Sequence, residues 1–488
     1  MARFNEYESF DGLGLAGLVA SGEVTPSELL EEALARVEAL NPSLNAIATL
    51  QPETARSLID TGPRDGAFEG VPFLLKDLGA EAKDFPSNSG SHLFAGTRYP
   101  FDSALYSRLR RAGLVTFGRT TSPELGIGPV TEAQIYGGPT RNPWNTGHTP
   151  GGSSGGAGAC VAAGVLPAAH GSDGGGSVRI PASCNGLYGL KPTRARLPDG
   201  PASGEGWGGM AVDGFLTRSV RDTAALLDAT VGADAGAPYW APPLSATFTA
   251  AMSRQPGPLK MLYSTRSFTG EAVHPECCAA VESAAALCTA LGHRVEEAAP
   301  TIEVDDLMLA WCKIVACGTA LAVQTKVDSR GQPVQCEEIE GVTRGACELA
   351  NSISGAQYLQ ALNTVHRFGR QMAAWFEECD VFVTPVLAEP PAAIGRFKPD
   401  NDDFLDYRLG PQGIFPYSPF AAPFNASGQP AASVPLHWTA DGLPVGVQFA
   451  AAFGADELLI ALSAQLEQAR PWFDRRPPLC ERRQAREQ

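Results

Sequence analysis

"GSDGGGSVRIPASCNGLYGLKPT" (residues 171–193) sets three consecutive glycines directly before a serine, Ser177. Glycine permits backbone conformations that a side chain forbids, and it lets amide N–H groups come close to a ligand. A row of such donors beside a hydroxyl is what an oxyanion needs when that hydroxyl attacks a carbonyl. The competing use of a glycine-rich loop is to cradle phosphate. The sequence is against it: no Gly-x4-Gly-Lys-[Ser/Thr] occurs, and a Gly-x-Gly-x-x-Gly spacing alone is a weak signal. Taken alone the loop reads first as a flexible turn with an incidental serine. A nucleophilic serine also needs a base, and the histidines are scattered singly. His170 adjoins the stretch but reads as a loop or helix-end histidine satisfied by backbone.

Upstream lies a second glycine-serine loop, "NPWNTGHTPGGSSGGAGACVAAGVLP" (142–167), carrying Ser153. Around the two loops the chain alternates strand and helix. "VTPSELLEEALARVEALNP" opens with Thr25 as N-cap, Pro26 at the first helical position and Glu28 closing a capping box. Leu29, Leu30, Ala33, Leu34, Val37 and Leu40 then recur on one helical face. "GVPFLLKDL" (70–78) reads as a buried strand that delivers Lys76 near its end. A helix over about 102–112, a glycine stop at Gly113 and a strand over 114–119 follow. Strand, helix and strand recur over 259–300, and strands over 380–386 and 443–451 precede a helix over 456–469. This alternation predicts an α/β/α layered fold with a mixed, largely parallel twisted sheet flanked by helices. The Pro-rich breaks at 237–243, 253–258 and 387–400 read as loops rather than linkers, which predicts one domain over 1–488.

The 488 residues carry 37 Lys+Arg against 53 Asp+Glu, a net charge of −16. Such a chain repels phosphate backbones and anionic lipid, so neither nucleic acid nor a membrane is expected as partner. The 11 cysteines are odd in number and irregular in spacing, without a CxxC pair, and fit reduced thiols in a cytoplasmic protein. No metal site follows from them, and no cofactor is expected. The N-terminus lacks the basic flank and apolar run of a signal peptide. "LMLAWCKIVACGTALAV" (307–323) contains Lys313 and stops short of the ~20 residues needed to cross a bilayer. It reads as a buried helix.

The two loops stand together with "VPFLLKD" (71–77), "TRNPWN" (140–145) and "NASGQPAASVP…GLPVGVQ" (425–448). On these long, ordered motifs the chain resembles the amidase signature family from about residue 10 to 472. The resemblance implies that fold, hydrolysis of an amide C–N bond through an acyl-enzyme, and a small-molecule amide as substrate. It implies Ser177 as nucleophile, Ser153 behind an unusual cis peptide as relay, and Lys76 as base. The N–H groups of Gly174, Gly175, Gly176 and Ser177 would form the oxyanion hole, with Ser154, Asp173 and Arg179 supporting the loop. A lysine can act as base only when its neutral form is populated, and "VPFLL" supplies the apolar setting that lowers its pKa.

Details such as "GWGG" (206–209) and "ARPWFDRRPP" (469–478) resemble the branch of the 6-aminohexanoate cyclic dimer hydrolases. Aryl acylamidases and carbamate-cleaving urethanases of the wider group stay open as alternatives. A glutamine amidotransferase A-type subunit fits less well, because Arg179-Ile180-Pro181 replaces that branch's Arg-Gln-Pro. A catalytically silent binding protein also fits less well, because all three relay residues are present. The expected catalytic core is about 70–230. The helical and loop region about 300–425 would add to an apolar-to-amphipathic substrate pocket. Its walls would be Ile127, Pro129, Val130, Trp207, Trp311, Cys312 and Phe415, each of which could instead be plain core. A homodimer is the default among soluble oligomers.

Overall fold

The capping box forms as read. The Glu28 N–H donates to Thr25 Oγ1 while the Glu28 carboxylate accepts from the Thr25 N–H, and helix Pro26–Leu44 follows. Its Leu29, Leu30, Ala33, Val37 and Leu40 are buried in the larger of two apolar clusters. The computed structural model describes residues 4, 6–62, 65–302 and 304–480. Its strands are β1 (Ile47–Leu50), β2 (Pro72–Lys76), β3 (Val115–Thr120), β4 (Ala168–Asp173), β5 (Tyr188–Lys191) and β6 (Val212–Thr217), followed by β7 (Lys260–Tyr263), β8 (Arg294–Glu297), β9 (Val381–Pro385), β10 (Ala431–Trp438) and β11 (Pro444–Ala451).

They form a three-stranded sheet, β1-β3-β2, and an eight-stranded sheet, β4-β6-β5-β10-β11-β9-β7-β8. The sheet is mixed, with helices packed on it, but less parallel than the alternation predicts. Parallel pairing is confined to β2 with β3 and to β7 with β8 and β9. β4 and β5 run in the same direction around the short helix Arg179–Asn185, as a strand–helix–strand unit should. β6 then inserts between them, antiparallel to both. β10 pairs antiparallel with β5 and β11, and β11 with β9. Local alternation sets the direction of neighbours in sequence; it does not reveal a later strand that slots between them.

A second apolar cluster gathers helices Asp305–Arg330, Gly341–Asn351 and Gly355–Trp375 with Phe415, Tyr417 and Phe424. The stretch read as a short buried helix is part of a 26-residue one, long and apolar enough by length and composition to cross a membrane. Leu307, Trp311, Ile314 and Val315 on it are buried within the fold. No disulfide joins the cysteines from Cys160 to Cys379.

Candidate active site

β2 is buried along its whole length and ends in Lys76, whose side chain is fully enclosed. Its ammonium nitrogen Nζ lies 2.6 Å from Ser153 Oγ and 2.9 Å from Ser172 Oγ. Burial pulls the Lys76 amine down to about 7, against the opposing charges of Asp213 and Asp173. Loss of hydration in the charged form is the cause, so the neutral amine is populated near neutral pH. Asp77, the obvious partner of a surface lysine, points elsewhere: its carboxylate accepts from Ser87 Oγ, the Asn88 N–H and Tyr136 OH.

Ser153 follows a cis peptide from Gly152, as the resemblance implies. The chain then enters helix Gly155–Ala162, where a Cβ on Gly155 would sit 2.2 Å from Thr131 Oγ1. Ser154 ties the two loops together. Its N–H donates to the Ser177 carbonyl, its hydroxyl donates to the Ser172 carbonyl, and the same oxygen accepts from the Ser172 N–H.

The loop of Ser177 is wound around Asp173 at the end of β4. The Asp173 carboxylate accepts from the N–H groups of Gly176, Val178 and Arg179 and from the Arg179 guanidinium, Nη2 to Oδ1 being 2.8 Å. Both side chains are wholly enclosed. Burial alone would raise the Asp173 carboxyl, but the charge and hydrogen bonds of Arg179, with Asn425, hold it well below the usual carboxylate range. Arg179 also donates to Gln448 Oε1 at 2.7 Å and to Asn425 Oδ1 at 2.6 Å. The three glycines are each required by a neighbour. A Cβ would lie 2.6 Å from the Trp207 ring at Gly174, 3.1 Å from Trp311 at Gly175 and 2.7 Å from Ala421 Cβ at Gly176.

Of the four N–H groups expected to face an oxyanion, that of Gly176 is donated to Asp173, whereas those of Gly174, Gly175 and Ser177 have no acceptor among the described residues. Ser177 and Ser153 open onto one cavity of about 300 Å³, although no hydrogen bond joins their hydroxyls. Residues 78–213 supply most of its lining, and Gly318, Thr319 and Ala322 of helix Asp305–Arg330 close one side.

Of the predicted wall residues only Trp207 lines this cavity. Trp311, 2% exposed, stands behind the loop, its Nε1–H donating to the Gly174 carbonyl and its ring edge-on to Trp207 and Phe415. Cys312 and Phe415 are core. Ile127 and Val130 are buried beside a separate small cleft, and the Pro129 backbone packs against Gly152. In their place the cavity presents Leu78, Leu125, Gly126 and three carboxylates, Glu81, Asp199 and Asp213.

Sequence reasoning missed Ser172, the second hydroxyl on Lys76. It also missed the purpose of the distant motifs, whose Asn425 and Gln448 clasp Arg179. His170 is no base: it is fully buried, Nδ1 accepts from the Lys76 N–H at 3.2 Å and Nε2 faces Asp213 Oδ1 at 3.1 Å. These two contacts fix the neutral tautomer with the proton on Nε2.

The family profile described as Amidase matches residues 28–460. A 6-aminohexanoate-cyclic-dimer hydrolase of Paenarthrobacter ureafaciens is 38% identical over 479 residues, 96% of each chain. A solved 6-aminohexanoate cyclic dimer hydrolase complexed with substrate superposes with a TM-score of 0.91 at 36% identity, covering 97% of this chain and 99% of the other. A bacterial aryl acylamidase of the amidase signature family reaches 0.85 at 28% identity, over 95% and 96%. The chain belongs to the amidase signature family, hydrolases of carbon–nitrogen bonds other than peptide bonds.

Proposed function

We infer that the chain hydrolyses a small amide through an acyl-enzyme formed on Ser177, with Ser153 as proton relay and Lys76 as base. The observation that carries this reading is the enclosed Lys76 amine, 2.6 Å from the hydroxyl of Ser153, which shares a cavity with Ser177. As Ser177 Oγ attacks the carbonyl carbon, its proton passes to Ser153 Oγ while the Ser153 proton passes to neutral Lys76. The N–H groups of Gly174, Gly175 and Ser177 receive the developing oxyanion. Collapse breaks the C–N bond, and Ser153 returns a proton to the leaving nitrogen, replenished from Lys76. Water then takes the place of the amine and the same groups, used in reverse, release the acid. The contact between the two serine hydroxyls closes when substrate binds, as catalytic hydrogen bonds often do.

The likeness to the cyclic dimer hydrolases favours a linear or cyclic aliphatic amide as substrate. The likeness to an aryl acylamidase keeps anilides, and carbamates with them, as the second reading. We place the enzyme in the cytoplasm, on the absence of disulfides among the cysteines from Cys160 to Cys379. A fluorophosphonate probe followed by peptide mapping tests the nucleophile. Labelling at Ser177 is expected, and an active preparation that is not labelled there overturns the assignment. A panel of linear amides, lactam oligomers, anilides and carbamates, run beside Ser177→Ala, separates the substrate classes.

A further inference from the structure

One wall of the catalytic cavity is acidic. Among the described residues lining it, the charged residues are Glu81, Asp199 and Asp213; the Lys76 amine lies behind Ser153 and Ser172 within the field of Asp213, and its burial favours the neutral form. Asp213 is engaged by His170 Nε2. No salt bridge or side-chain hydrogen bond from another residue reaches the carboxylate of Asp199 or Glu81. Burial, and then the charges of Asp213, Asp234 and Glu81, push the Asp199 carboxyl up to about 8. Burial likewise raises Glu81. Burial and the neighbouring carboxylates outweigh the opposing charge of Arg119 on Glu81. Thr319, only 2% exposed, lines the same cavity, and its enclosed hydroxyl has no hydrogen-bond partner among the described residues. Trp207 adds an indole ring, whose π-face attracts cations. Carboxylates and an indole are together groups that hold an alkylammonium.

We propose that this wall is a subsite for an organic cation, so that the preferred amides carry a protonated primary amine on the chain that bears the scissile bond. The inference deepens the amidase reading and rests on it for the reaction, but the binding half stands alone. An ammonium among Asp199, Glu81 and Asp213 would anchor one end of the substrate and leave its carbonyl over Ser177. A neutral amide of equal length would leave the carboxylates without a partner.

The test uses the full chain at pH 8.5, where the Asp199 carboxyl is ionised and an alkylamine is still protonated. n-Hexylammonium and hexan-1-ol are titrated by calorimetry, and an ω-aminoalkanoyl anilide is compared with its des-amino counterpart in turnover. Hexylammonium is expected to bind about tenfold tighter than the alcohol. The amino substrate is expected to show the same advantage in kcat/KM. Asp199→Asn and Glu81→Gln, made separately, should each reduce both preferences several-fold. Equal affinities in the wild-type chain, or a preference that survives both substitutions, overturns the proposal. If neither anilide nor any linear amide, lactam oligomer or carbamate of the panel is cleaved while the ammonium preference holds, the amidase reading fails and the cation subsite stands.

Discussion

Titration of Lys76 gives the amidase reading its sharpest test, because the structure fixes both the position and the direction of the response. With its pKa brought from 10.5 to about 7 by burial, the amine is neutral in about half of molecules at pH 7. An unperturbed lysine would be neutral in about 3 of 10,000. If the neutral amine is the base, log kcat/KM should rise with unit slope up to about pH 7 and level off above it. Between pH 6 and 8 the rise is about tenfold, since the neutral fraction climbs from about 0.09 to about 0.9. Initial rates of arylamine release at constant ionic strength measure it. Asp213→Asn supplies the control: the Asp213 carboxylate holds the amine pKa up, and an asparagine keeps an oxygen for His170 Nε2–H. Its removal must shift the acidic limb to lower pH. A profile flat from pH 5.5 to 7.5, or a limb that stays in place or moves upward in Asp213→Asn, refutes Lys76 as the titrating base.

Ser153→Ala removes the nearer, at 2.6 Å, of the two hydroxyls between the Lys76 amine and the cavity. Turnover should fall by about 10²–10⁴-fold, with the far-ultraviolet circular dichroism unchanged. Arg179→Met leaves the buried Asp173 carboxylate without its cation and should cost about 3–5 kcal/mol of stability in urea unfolding, together with Ser177 labelling. Gly176→Ala forces a side chain into a backbone at φ +124° and to within 2.7 Å of Ala421 Cβ. A loss of at least about 1–3 kcal/mol is expected, and a melting temperature equal to that of the wild type would show that the loop yields there.

The relay residues were legible because each sits inside a motif that is itself the local structure. The glycines before Ser177 are there because Trp207, Trp311 and Ala421 leave no space for a Cβ, so the sequence records the packing directly. Asp173 and Arg179 were legible for the same reason, as a pair six positions apart wound into one turn. The pocket walls were not. Trp311 and Phe415 are large and apolar, and a sequence cannot distinguish a ring facing a ligand from a ring stacked behind the loop that holds it. Glu81, Asp199 and Asp213 lie in three unrelated stretches and meet only when the sheet and its connecting loops are assembled. The excess of antiparallel pairing was hidden similarly, because β6, the next strand along the chain, folds back between β4 and β5 and pairs antiparallel with both.

A lysine base makes sense of the way the two sheets join. Lys76 ends a strand of the small sheet, whereas the loop of Ser177 ends β4, an edge strand of the large one. The edges of β2 and β4 meet with a histidine side chain interposed: His170 Nδ1 takes the Lys76 N–H, and its Nε2 is turned towards Asp213. That junction excludes water from the lysine stem, and exclusion of water is what makes an amine basic enough to be useful yet neutral near pH 7. A histidine base would need no such enclosure, since its unperturbed pKa already lies near neutrality. Here the histidine braces the strand, and the base we propose is the group whose pKa the fold itself displaces.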